Sequence, residues 1–244
     1  MTIRHEGSLA AASRALLARL GERPWAQDFY LAGSAALALY TGHRPVRDLD
    51  LMSNTNRLAP PERRDLLADL QALDPAVEVE TARDGYLFAR LSPEGGKTLA
   101  PGSEGAKAFA PGSNTAAVGL RLFYYPYPLV NPLEELAGVA IASPADLGLM
   151  KIAAIISRGT RRDFVDLFLL CQTLPLEELF ACAEEKFGHV RDFTLQALKG
   201  LADLSLVPGE PMPALAAPLA WEEVEAWARA EVRELGRAHV GLVR

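Results

Sequence analysis

Cysteine is scarce in this chain: only Cys171 and Cys182 occur in 244 residues. Both lie in a stretch rich in alanine and leucine, where free, buried thiols fit better than a disulfide or a metal pair. Long apolar runs are missing as well. No segment approaches the roughly eighteen consecutive apolar residues that a membrane span requires. The first residues, Met1-Thr2-Ile3-Arg4-His5-Glu6-Gly7, carry no apolar core or cleavage site of a secretory signal. The expectation is a cytoplasmic protein with no membrane partner. Positive charge is not in excess either. The net charge of −6 counts against a general nucleic-acid coat protein, but leaves room for an enzyme that grips one RNA end through a local basic patch. The four histidines show no metal-ligand spacing.

Hydrophobic periodicity organises what is present. Residues 8–20 place leucines at helical spacing, and Gly21 and Pro24 close that helix. Phe29-Tyr30-Leu31 reads as a short buried strand that stops at Gly33, with a helix of small and apolar residues following over 35–40. Turn residues at 41–45 precede a stretch, 46–52, that alternates apolar and charged side chains with period two, the pattern of a strand with one buried face. A helix over 60–73 and strands over 77–81, 86–91 and 116–125 follow. Residues 93–114 are rich in Gly and Pro and carry Ala-Pro-Gly-Ser twice, which reads as a flexible insertion between two strands.

From Ser143 the pattern turns helical. Ser143-Pro144-Ala145-Asp146 combines a hydroxyl N-cap, a proline at the first helical position and an acid three residues after the cap. Helices are expected over 144–157, 161–173, 175–187, 191–204 and 219–236. The predicted architecture is an α/β (α+β) domain with a mixed sheet over 1–142, followed by a helical domain over 143–244.

Two features point to chemistry. Asp48 and Asp50 stand at i and i+2, so on a strand they share a face roughly 6.5 to 7 Å apart. Two carboxylates aimed the same way repel, and a hard dication such as Mg²⁺ resolves the conflict where phosphates complete its shell. By itself Asp-x-Asp also fits a solvated strand edge. Gly33-Ser34 falls where a strand ends and a helix begins, where free N–H groups and the helix dipole favour an anion. By itself that pair also fits a plain turn. Together they put a phosphate site and a metal site on adjacent strands.

The residues Leu31-Ala32-Gly33-Ser34-Ala35-Ala36-Leu37, then Gly42-His43-Arg44, then Asp48-Leu49-Asp50-Leu51 resemble the first motif of the polymerase-β-like nucleotidyltransferase superfamily. More narrowly they resemble the AbiEii/AbiGii toxin family, MenT-like members included. A second signature of that family is similar to Lys151-Ile152-Ala153-Ala154-Ile155-Ile156-Ser157-Arg158 with Arg161-Arg162-Asp163-Phe164-Val165-Asp166-Leu167, and Pro126-Tyr127-Pro128-Leu129 resembles a third, less specific stretch. The resemblance spans roughly residues 29–170. It implies a Mg²⁺-dependent enzyme that moves a nucleoside monophosphate from a nucleoside triphosphate (NTP) to an acceptor hydroxyl. The implied acceptor is a tRNA 3′ end, and the implied role is that of a toxin silenced by an antitoxin protein. Asp48 and Asp50 would hold the metal, Gly33, Ser34, Lys151 and Arg158 the nucleotide, and Asp163 or Asp166 would act beside Lys151 in catalysis. Transfer to a protein or small molecule, or a non-catalytic binding role on the same fold, are the alternatives.

Spacing alone adds that Lys151 and Arg158, seven apart, share a helix face until Gly159 breaks the helix. An ordinary amphipathic pair with an Arg162–Asp166 surface bridge is the bland reading of that segment. Two departures stand out. Many superfamily members carry a third carboxylate on a later strand, where this chain has Arg121; Glu78, Glu80, Asp84 or a helical aspartate are the substitutes. Val46 stands where the family often has serine. Arg57, Arg63, Arg64, Arg161 and Arg162 are candidates for an RNA-facing patch, and Tyr124 and Tyr125 for base stacking or core packing. His43 sits in the turn beside the proposed site, as a plain turn residue or as a contact to substrate.

Overall fold

The computed structural model describes residues 1–92, 117–205, 207 and 209–242, the side chains of 238–242 excepted. The expected insertion at 93–114 lies outside the described residues. Seven strands form one mixed sheet: β1 (Tyr30–Ala32), β2 (Leu49–Ser53), β3 (Glu78–Arg83), β4 (Tyr86–Leu91), β5 (Val118–Tyr124), β6 (Glu134–Leu136) and β7 (Val139–Ile141), in the order β3-β4-β5-β2-β1-β7-β6. β2 runs parallel to β5 and β1 parallel to β7, and the remaining neighbours are antiparallel. The chain is therefore α+β with a mixed sheet, as its pattern of elements predicts.

The helices are α1 (Ala11–Gly21), α2 (Gly33–Thr41), α3 (Pro60–Leu73), α4 (Pro144–Ser157), α5 (Arg161–Cys171), α6 (Leu176–Ala181), α7 (Ala183–Phe187), α8 (Phe193–Ala202) and α9 (Trp221–Leu242). The single helix expected over 175–187 is two, α6 and α7, joined through Cys182. The strand expected over 46–52 begins only at Leu49. Val46 instead forms an isolated bridge with Leu9, its N–H donating to the Ser8 carbonyl at 2.8 Å. No helix among the described residues is long and apolar enough to cross a membrane. Cys171 and Cys182 are free and half-buried, and burial pushes the Cys171 thiol up to about 12.

The β6–β7 hairpin went unforeseen. Its strands have three residues each, and its turn is Ala137-Gly138, both at positive φ (52° and 77°). Two positive φ values are what a two-residue hairpin turn needs, but Asn-Gly or Asp-Gly is the usual sequence mark. An alanine there leaves no signal.

Two apolar cores support the site. The first fills the sheet with Leu31, Leu49, Leu51, Leu120 and Leu122 and reaches Leu147, Met150 and Leu170 on the helices. The second gathers Ile152, Phe164, Val165, Leu179, Leu201 and Val224. α2 is buried along Ala35–Tyr40 and packs between β1 and β2 on one side and α4 and α5 on the other. Its small residues allow that close approach. α4 faces both cores, with Leu147 in the first and Leu149 in the second.

Candidate active site

The strand alternation does what the sequence requires of it. Leu49 and Leu51 are buried in the core while Asp50 turns to the other face. β1 presents Ala32 opposite Asp50, and the next residue, Gly33, opens α2. Gly33 has φ +60°, and a Cβ there would lie 2.5 Å from Asp50 Oδ2. Glycine is needed twice over, for the left-handed backbone and for the room. The N-cap position, Ala32, has no side-chain acceptor, so no side chain of its own caps the first turn of α2.

Asp48 lies just before β2 rather than on it. It still joins Asp50, because one guanidinium spans both: Arg121 Nη2 donates to Asp48 Oδ2 at 3.0 Å and Nη1 to Asp50 Oδ1 at 3.2 Å. Asp48 Oδ1 also accepts from the Gly119 N–H at 3.2 Å. Burial pushes the Asp50 carboxyl above its ordinary range, against the pull of Arg121. Two hard oxygen donors that already converge on one cation fit the partial shell Mg²⁺ takes when phosphate oxygens and water supply the rest. Among the described residues no group of three or more His, Cys, Asp or Glu is arranged as a metal site.

The cations come from the helical side. Lys151, on α4, is almost fully buried; its Nζ lies 2.7 Å from Asp166 Oδ2 and 3.2 Å from Asp163 Oδ1. Arg158, past the end of α4, clamps Asp163 through Nε at 2.8 Å and Nη2 at 3.0 Å. Gly159 at φ +55° ends the helix, and Thr160 caps α5, accepting from the Asp163 N–H and donating to Asp163 Oδ2 at 2.6 Å. Burial works against charge on Asp163, but Arg158, Lys151 and Thr160 outweigh it and hold the carboxyl at about 2.

Asp166 is buried completely. The surface bridge Arg162–Asp166 is not formed. Instead Asp166 accepts from His43 Nε2 (2.8 Å), from Arg44 Nε (3.0 Å) and Nη2 (3.1 Å), and from Ser34 Oγ (3.0 Å). An ionised carboxylate only accepts, so His43 carries its proton on Nε2. Desolvation opposes this charge too, but Lys151, His43 and Arg44 keep the carboxyl well below the usual range. The Ser34 hydroxyl thus points at Asp166. His43 and Arg44 belong to this network, which the sequence did not disclose for His43.

These groups surround one cleft of about 740 Å³. Ser34, Asp50, Arg121, Lys151, Arg158, Arg162 and Asp163 line its polar side, with Phe123 and the segment Pro211-Met212-Pro213 against them. The structure therefore brings Ser34, Asp50, Lys151, Arg158 and Asp163 to one cavity. Gly33 adjoins it through Asp50, Asp48 through Arg121, and Asp166 lies beneath. Of the proposed substitutes for a third strand acid, the helical Asp163 lines the cleft, whereas Glu80 pairs with Arg90, Asp84 accepts from Asn56 and Glu78 is exposed on β3. Of the five arginines considered for RNA, Arg162 lines the cleft. Arg161 covers Trp221 (4.8 Å), and Arg57 pairs with Asp28. Tyr125 packs on Tyr127 and Tyr124 is exposed; neither lines the cleft.

Comparison with known proteins gives the family and the fold. Residues 14–237 match the family described as "Nucleotidyl transferase AbiEii toxin, Type IV TA system". An uncharacterized protein of Aquifex aeolicus (strain VF5), aq_aa25, is 27% identical over 211 residues, covering 85% of this chain and 87% of its own length. Among solved structures, a candidate nucleotidyltransferase from H. pylori superposes with a TM-score of 0.52 at 18% identity, over 93% of this chain and 94% of that one. JHP933 from Helicobacter pylori gives 0.51 at 17% identity, over 98% and 94%. At such identities the two structures speak for the fold, and the family match speaks for the activity. The chain belongs to the AbiEii nucleotidyl transferase toxin family and is a nucleotidyltransferase.

Proposed function

We propose that the protein moves a nucleoside monophosphate from an NTP to the 3′ hydroxyl of a tRNA with the help of Mg²⁺, as the toxin of a toxin–antitoxin pair. One observation carries this reading: an uncapped helix N-terminus, a carboxylate pair and four cationic side chains, Arg121, Lys151, Arg158 and Arg162, gather at a single cleft. That set matches the needs of phosphoryl transfer, where positioning and charge neutralisation do most of the work.

In this reading the distal phosphates rest on the Gly33 and Ser34 amides, with Lys151, Arg158 and Arg162 neutralising the charge that grows as pyrophosphate leaves. Asp48 and Asp50 would hold the metal, which supplies a fixed positive charge beside the reacting phosphate. The acceptor oxygen bonds to the α-phosphorus as the bond to pyrophosphate breaks, and the hydroxyl proton passes to water. Asp163 and Asp166 are fully occupied by cations, so their part is to hold Lys151, Arg158 and Ser34 in place. Residues 1–142 would then contribute the carboxylates and phosphate turn, and residues 143–244 the cations.

Incubation with total RNA, Mg²⁺ and each labelled NTP in turn tests the proposal. Label should appear on tRNA, with a rate that falls steeply as salt rises because RNA phosphate contacts release counterions, and Asp50→Asn should abolish it. Label on a protein or a small molecule instead would contradict the acceptor. Label nowhere would contradict the proposal as a whole.

A further inference from the structure

Arg121 has an unusual seat. Parallel pairing of β2 with β5 sets it in register with Asp50, and antiparallel pairing of β4 with β5 sets Phe88 on its other side. The guanidinium lies 4.7 Å over the Phe88 ring while its fork holds Asp50 and Asp48 at 3.2 and 3.0 Å. Asp48 is itself fitted to β5, since a Cβ at Gly119 would stand 2.8 Å from its Oδ1. The carboxylate pair is thus built around a cation that the chain supplies.

A guanidinium stays charged at any ordinary pH, and its planar fork suits two carboxylates. A dication on the same oxygens competes with it, because two cations at that range repel. A triphosphate entering the cleft that Arg121 lines brings several negative charges and a competing fork of oxygens. It would compete for the guanidinium and so free the pair.

We propose that Arg121 is a resident counter-cation, a positioning residue that keeps Asp48 and Asp50 together and is exchanged for the divalent ion when nucleotide arrives. Metal and nucleotide then bind with positive coupling, each raising the affinity of the other by the same factor. This inference rests on the metal-dependent reading above.

The test is Mn²⁺ titration followed by electron paramagnetic resonance, with and without a non-hydrolysable NTP, on the wild type, Arg121→Met and Asp50→Asn. Wild-type Mn²⁺ affinity should rise about tenfold with nucleotide. Arg121→Met should bind Mn²⁺ without nucleotide about tenfold more tightly than the wild type and lose most of that coupling. Its melting temperature should drop in chelator and recover on adding Mn²⁺ by more than the wild type gains, a response that a merely misfolded variant would not give. Equal Mn²⁺ affinity in the wild type and Arg121→Met, abolished by Asp50→Asn, would overturn the role of Arg121 and leave the metal site standing. No Mn²⁺ binding by any of the three, even with nucleotide, would overturn both.

Discussion

Asp163 shows how strongly single side chains are poised here. Its carboxyl is held at about 2 against an ordinary 3.8. A depressed carboxylate stabilises the fold above its unfolded value and loses that contribution as pH falls through its folded value. The shift corresponds to about 2 kcal/mol, present at neutral pH and lost between about pH 4 and 2. Asp163→Asn should therefore be less stable at pH 7 and lose less on acidification, which urea melts at several pH values will read. Gly33→Ala is the sharper probe. The positive φ costs about 1–2 kcal/mol in any L-residue with a Cβ, and the methyl would strike Asp50, so transfer activity should fall at least about a hundredfold if carboxylate placement controls the rate. At this scale much of the site was legible. The Asp48–Asp50 spacing, the Gly33 turn and the seven-residue interval between Lys151 and Arg158 are local patterns with local causes. The roles of His43 and Arg44 were not legible from spacing, because their partner Asp166 lies more than 120 residues away.

Among the elements, α5 depends on the residue that caps it, Thr160. Thr160 and Asp163 satisfy one another across the first turn, and the same Asp163 holds Arg158 and Lys151. Thr160→Ala should cost about 1 kcal/mol in stability, and it should also weaken NTP binding by loosening Arg158. Calorimetry with NTP separates those effects from a simple loss of helix. The Ser143 cap is written in a short sequence window, so the start of α4 was foreseeable. The β6–β7 hairpin was not, because its turn uses Ala137 at positive φ and its three-residue strands carry too little alternation to register. Its place in the sheet is fixed by pairing with β1, a partner about a hundred residues earlier.

At the scale of the molecule, the site depends on how the sheet and the helices are joined. Asp146 and Lys186 are both fully buried and meet at 2.7 Å. Lys186 also donates to the Pro128 carbonyl at 2.6 Å, and Asp146 accepts from the Val130 N–H at 3.1 Å. This buried pair ties the chain leaving β5 to α4, the helix that carries Lys151. Asp146→Ala would strand a buried ammonium and should cost about 3–5 kcal/mol, whereas replacing both partners with apolar residues should cost less. Chemical denaturation of the two variants checks that order. One cleft should gather triphosphate between the α2 amides and the cations of α4 and α5. Calorimetric titration of a non-hydrolysable NTP with Mg²⁺ tests it most directly. One site per chain, weakened at least about tenfold by Lys151→Met and by Asp50→Asn, each removing a charged contact, is the predicted result; unchanged affinity in both variants would contradict it.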